Sequence, residues 1–125
     1  MNERVADLVN RANRALKTAE INDAEGDYDA AASRAHYAAF YEVSAVLARE
    51  GKRFKKHSAV EVALHRDLIR TGRLPESVGK DYATLYSFKT TGDYGDLEHV
   101  TAEQASEAVE VARRVLAAVA LLIPS

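Results

Sequence analysis

The chain reads as an all-α protein, an antiparallel up-and-down bundle of four or five helices. Three observations predict it. Apolar residues recur at helical spacing in one segment after another, with no strand-like alternation. Capping residues, glycines and a proline mark where those segments start and stop. The connections between them are short, which favours antiparallel neighbours. The 125 residues support one domain, read as spanning 1–125.

Val5, Leu8, Val9, Ala12, Ala15, Leu16 and Ala19 place a first helix over roughly residues 2–23. Gly26-Asp27 interrupts it, with Asp27 as an N-cap for a second helix. That helix runs to about Glu50 on a stripe of His36, Phe40, Val43 and Leu47, and Gly51 suits the position after its end. Ser58-Ala-Val-Glu61 has the form of a capping box and opens a third helix that runs to about Thr71. Pro75 fits the first turn of a fourth, which carries Val78, Tyr82, Leu85, Tyr86 and Phe88. Thr101-Ala-Glu-Gln104 is a second capping box. It opens a fifth helix with Ala105, Ala108, Val109, Ala112, Val115, Leu116, Val119 and Leu122 on one face. Residues 51–57 and 89–100 are left as the longest irregular pieces, both placed on the surface.

Composition narrows the function classes. A net charge of −2 gives no global basic field, so any nucleic-acid contact has to come from a local patch. The absence of cysteine excludes disulfides and thiolate metal sites and is compatible with a reducing, cytoplasmic setting. The mixed-charge N-terminus is not a secretory signal. The longest apolar run, 115–123, falls well short of the about 20 residues that a membrane span needs. No metal, cofactor or membrane contact is called for.

Lys89-Thr-Thr-Gly-Asp-Tyr-Gly-Asp96 is the most informative segment. It packs a cation, two carboxylates, a phenol and two glycines into a short stretch, read as a loop on which Gly92 and Gly95 turn the chain. With Gly26-Asp-Tyr-Asp-Ala-Ala-Ala-Ser-Arg-Ala-His-Tyr-Ala-Ala-Phe-Tyr41 and Lys55-Lys-His-Ser-Ala-Val60, in that order, it resembles the HEPN domains (higher eukaryote and prokaryote nucleotide-binding), in particular their small stand-alone branch. The resemblance implies a four- or five-helix bundle that usually forms a homodimer. It also implies prokaryotic toxin–antitoxin and defence settings, often with a small nucleotidyltransferase as partner. Many members are metal-independent RNases that use an arginine, four to six arbitrary residues and then a histidine, late in the bundle near the dimer cleft. No arginine here precedes a histidine at that spacing. Lys52 and His57 have the spacing with lysine in place of arginine, and in the expected region Lys89 is followed by Asp93-Tyr94 without a histidine.

Several candidates follow, each with two readings. Lys89, Asp93 and Tyr94 are candidate catalytic residues: the lysine can stabilise developing phosphorane charge, and the carboxylate or phenol can transfer a proton. In the structural alternative Asp93 accepts backbone N–H groups left by a helix end and Tyr94 plugs the end of the bundle. Arg53, Lys55, Lys56 and His57 form a candidate RNA or phosphate site in a basic run with Arg49 and Lys52, or else a solvated loop. Arg34, Tyr37 and Tyr41 share a helix face, as anchors of an interface or as core. A buried Arg34 would need a carboxylate, which Asp93 or Asp96 can supply. Asp96 is thus grouped with Arg34 and Tyr37 as structural or interface residues. His65 and His99 read as plain surface residues.

Together these readings point to an interaction or RNA-associated module of a toxin–antitoxin or defence pair, lacking the usual RNase motif. The alternatives are an active endoribonuclease toxin using Lys89, Asp93, Tyr94 and His57, and a non-catalytic nucleotide-binding module.

Overall fold

In the computed structural model, which describes residues 2–124, five helices form an antiparallel bundle, with no strand among the described residues. They are α1 (Glu3–Ala24), α2 (Tyr28–Arg49), α3 (His57–Ala63), α4 (Glu76–Tyr94) and α5 (Ala102–Ala120). The turns at Leu64–Ile69 continue α3 as a wider π-helix. Among the described residues no helix is long and apolar enough to cross a membrane.

Helix α2 is the hub, packing against α1, α3, α4 and α5. Its sequence explains this. Ala31, Ala32, Ala35, Ala38, Ala39 and Ala45 are all buried, and side chains this small let neighbouring helices approach on several sides at once. Val43, Val46 and Leu47 join Leu64, Leu68, Tyr82, Leu85, Val109 and Val115 in the main core. Val5, Leu8, Ala12 and Ala15 of α1 close the other side of α2 in two smaller clusters.

The caps divide into those read correctly and those displaced by packing. Thr101 and Gln104 form the reciprocal capping box, at 3.1 Å and 3.0 Å. The Asp27 carboxylate accepts the Ala30 N–H at 3.4 Å. Gly26 and Gly51 both lie at positive φ, 81° and 78°, as a turn after a helix end requires. The Ser58–Glu61 box does not form. Helix α3 begins at His57 with Lys56 at its N-cap, so Ser58 already lies in the first turn. The His57 ring packs with its centroid 4.2 Å from that of Phe40 on α2. Pro75 sits one place before the first turn, as the N-cap of α4.

The larger correction is at residues 89–94, which are helix and not loop. Thr90 and Thr91 bond back to the carbonyls of Tyr86 and Ser87 at 2.9 Å and 3.3 Å, so their hydroxyls do not compete with the helix. Gly92 is there for contact. A Cβ on it would stand 2.8 Å from the Asp29 carbonyl oxygen, so the backbones of α2 and α4 touch where a side chain would hold them apart.

Candidate functional site

The extra turns of α4 carry Lys89, Asp93 and Tyr94 onto the flank of α2, and the first residue of α3 reaches the same place. Lys89 is only 6% exposed, although the sequence reading set it on a surface loop. Its ammonium lies 5.8, 5.9 and 4.8 Å from the ring centroids of Tyr37, Tyr86 and Tyr94, and 3.3 Å from an Asp93 oxygen. Burial acts to lower the Lys89 pKa. The hydrogen bond to Asp93, with the charges of Asp93, Tyr37 and Tyr94, outweighs it and holds the amine above its ordinary value. Lys89 is therefore a fixed cation under a tyrosine canopy, an arrangement in which cation–π attraction is strengthened by desolvation.

Asp93 does not play the structural part read for it as an acceptor for a helix end. It caps no helix end. Its carboxylate pairs with Lys89 and accepts a hydrogen bond from the Ser33 hydroxyl of α2 at 3.4 Å. Tyr94 does not plug the bundle: it is 73% exposed and covers Lys89 from outside. Arg34 takes neither Asp93 nor Asp96. It is only half-buried, so the burial that would have required a carboxylate is absent, and its guanidinium lies 4.8 Å from the centroid of Tyr37. Asp96 is exposed in the connection before α5 and enters no ion pair among the described residues.

Tyr37 joins the two candidate regions. The His57 ring lies 5.5 Å from it, and Lys89 approaches it from α4. His57 and Lys89, 32 positions apart in sequence, thus flank one phenol. Arg53, Lys55 and Lys56 stand exposed on the loop beside His57 and enter no ion pair among the described residues. Lys52 is different, bound to Glu50 and Asp67. With Arg66, it holds the Asp67 carboxyl far below the usual range.

Three further residues, His36, Asp29 and His99, have surroundings that the sequence did not display. His36 belongs to the predicted apolar stripe and is indeed 1% exposed, packed among Tyr37, Phe40, Tyr82 and Tyr86. Neither ring nitrogen has a hydrogen-bond partner among the described residues. Burial, then the positive charges of Lys89 and His57, push its pKa down to about 4. The ring is neutral at pH 7 and shares Tyr37 and Tyr86 as neighbours with Lys89. Asp29 does the work expected of Asp93. Its two oxygens accept the Val100 N–H and meet the His99 ring, each at 2.8 Å, which pins the α4–α5 connection to the start of α2. Burial raises its pKa, but these two contacts outweigh burial and hold it below the ordinary value. His99, read as a plain surface residue, is therefore a tether. The signal for Asp29 is present in the Gly26-Asp-Tyr-Asp29 turn, close to the residue predicted as the cap. Among the described residues no group of three or more His, Asp or Glu side chains is placed to hold a metal ion.

The HEPN domain family matches residues 5–122, nearly the whole chain and all of this site. The chain belongs to the HEPN family. A UPF0332 protein of Thermotoga maritima is 34% identical over 113 residues, covering 90% of this chain and 86% of that one. A protein of Methanocaldococcus jannaschii bearing the name "Putative toxin MJ0142" is 30% identical, over 78% of this chain and 67% of its own length. Two crystal structures share the fold at 23% identity: TT1696 from Thermus thermophilus, with a TM-score of 0.82, and ST0689, an archaeal HEPN homologue, with 0.77. Each superposition covers 98% of this HEPN chain and the whole of the other. The expected bundle and family are thus both established.

Proposed function

We propose that this HEPN domain is an RNA-associated member of a toxin-like pair, and that it engages RNA through the face built by α2, the start of α3 and the end of α4. The observation that carries the reading is the Lys89 environment. A lysine held protonated cannot take a proton from a ribose hydroxyl. The carboxylate beside it is already engaged by Lys89 and Ser33. What the face offers instead is a fixed cation with exposed tyrosine rings, Tyr86 at 48% and Tyr94 at 73%, on which bases can stack. Arg53, Lys55 and Lys56 extend it toward a phosphate backbone. The relative named as a toxin supports the setting. A homodimer, a small nucleotidyltransferase partner and a cytoplasmic location belong to the same reading.

One observation favours a second reading, an endoribonuclease. His57 shares Tyr37 with Lys89, so an imidazole and a cation face the same space. The test is a single-stranded RNA assay in EDTA with purified protein. The binding reading expects salt-sensitive association without cleavage, weakened in Lys89→Gln and Tyr94→Ala. Cleavage that persists through repeated purification and is lost in both His57→Ala and Lys89→Ala would replace it with the nuclease.

A further inference from the structure

Helices α1 and α2 meet through small residues, with Ala12 and Ala15 buried against Ala38. Long side chains stand on either side of that close contact and leave an open groove of about 400 Å³ between them. Its walls are Asp7, Arg11, Arg14 and Thr18 from α1 and Arg34 and Tyr41 from α2. Three guanidinium groups face one carboxylate, and that carboxylate is taken: Asp7 holds Arg11 at 2.9 Å, four residues along the same helix. Neither Arg14 nor Arg34 forms an ion pair among the described residues. In a chain of net charge −2 this is a local excess of cation with unfilled donors.

We propose that the α1–α2 groove is a phosphate-binding site, with Arg14 and Arg34 as its paired ligands and Thr18 and Tyr41 as hydroxyl donors. Guanidinium forks match phosphate oxygens two at a time, and two forks from different helices define a position as well as a charge. The groove is the size of a small ligand cleft, at the lower end of the roughly 300–1,000 Å³ range. Arg34 also ties it to the neighbouring face, because the same guanidinium lies over Tyr37, whose ring Lys89 approaches from α4. A phosphate held between Arg14 and Arg34 is thereby set beside the tyrosine face. The site stands on its own geometry. Only the choice of an RNA strand over a free nucleotide as the source of the phosphate rests on the reading above.

The experiment measures binding of a fluorescein-labelled oligouridylate and, separately, of ATP. The proteins are the wild type, Arg14→Gln, Arg34→Gln, the double variant, Lys89→Gln on the tyrosine face and Lys80→Gln, which removes an exposed charge from another surface. Arg14 is itself exposed, so its variant leaves the core untouched. Each groove variant is expected to weaken binding by about tenfold, as for a lost charged hydrogen bond, and Lys80→Gln by less than about twofold. For the oligonucleotide, the slope of log affinity against log salt should fall by about 0.7 per phosphate contact removed. Weakening for the oligonucleotide alone makes the phosphate that of a strand; weakening for both probes admits a free nucleotide. Groove variants that bind both probes like Lys80→Gln overturn the site, as does a wild type that binds neither. Loss in Lys89→Gln with intact binding in the groove variants removes the groove and leaves the tyrosine face. The converse pattern keeps the groove and removes the face.

Discussion

Helix α2 is packed in two different ways on its two sides. Toward α1 it presents Ala38 and Ala45 to Ala12, Ala15, Val5 and Leu8, a seam of closely packed apolar groups. Toward α4 it presents His36, Tyr37 and Phe40 to Tyr82, Leu85, Tyr86 and Lys89. That second seam holds a buried ammonium and, among the described residues, an imidazole and a phenol without hydrogen-bond partners. The first seam is held by close approach and tolerates no added volume. The second accepts polar groups whose burial costs free energy. The two seams should therefore fail in opposite ways.

Removal should damage the α2–α4 seam most. Leu85 is fully buried there, and Leu85→Ala should cost about 2–5 kcal/mol in urea denaturation. Addition should damage the α1–α2 seam: Ala38→Leu should cost about 1–3 kcal/mol through overpacking. An Ala38→Leu protein as stable as the wild type would show that the alanine seam has slack and would break the contrast.

Asp93→Ala is expected to cost about 1–3 kcal/mol, because it leaves the Lys89 ammonium buried beside its rings without a counter-charge. Lys89→Met, which removes the charge along with its need for a partner, should cost less than Asp93→Ala. The reverse order in melting temperature would mean that the ammonium is solvated and the pair is incidental.

A pH experiment separates the polar seam from the rest of the bundle. His36 is pushed down to about 4 from 6.5, so between those values the unfolded chain binds a proton that the folded one refuses. On this account stability is present above pH 6.5 and is lost as pH falls toward 4. Glu42, buried elsewhere on α2, is pushed up to about 7 from 4.5 by burial. Its contribution has the opposite sign, present below pH 4.5 and lost as pH rises through 7. Between pH 5 and 6.5 the two slopes oppose each other in the wild type. Glu42→Gln should uncover the His36 slope, becoming less stable by about 1–2 kcal/mol at pH 5 than at pH 6.5. His36→Phe should show the mirror image. Variants that keep the wild-type profile would mean that neither group is held in its unusual state.

The smallest effect is expected at Tyr82. Its ring is 1% exposed and its hydroxyl has no hydrogen-bond partner among the described residues, so Tyr82→Phe should be neutral or stabilising by up to about 1 kcal/mol. A clear loss of stability would reveal a partner for that hydroxyl.

Much of the scaffold was legible because it is set by local signals. The Thr101–Gln104 box, the glycines at 26 and 51 and the periodic apolar faces each depend on residues a few positions apart, a range that a sequence displays directly. The misread pieces are those in which a distant contact overrode a local preference. Gly92 reads as a helix breaker on propensity, yet it lies inside α4 because Asp29 comes against it. Ser58 reads as a cap, yet the helix starts at His57, where Phe40 receives the ring. The family resemblance supplied the right fold without the mutual placement of its segments.

The amino-acid sequence by itself determined the helices, their order, the lack of a cysteine site and the residue types that carry any chemistry. Only the tertiary structure decided what those residues face. It buried Lys89 under tyrosines, gave Asp93 to that lysine, gave Arg34 to Tyr37 and opened the arginine groove between α1 and α2. The physical reason is range. Helix periodicity and capping act over three or four residues, whereas the environment of a charge is set by whatever packs within a few ångströms of it, from any part of the chain.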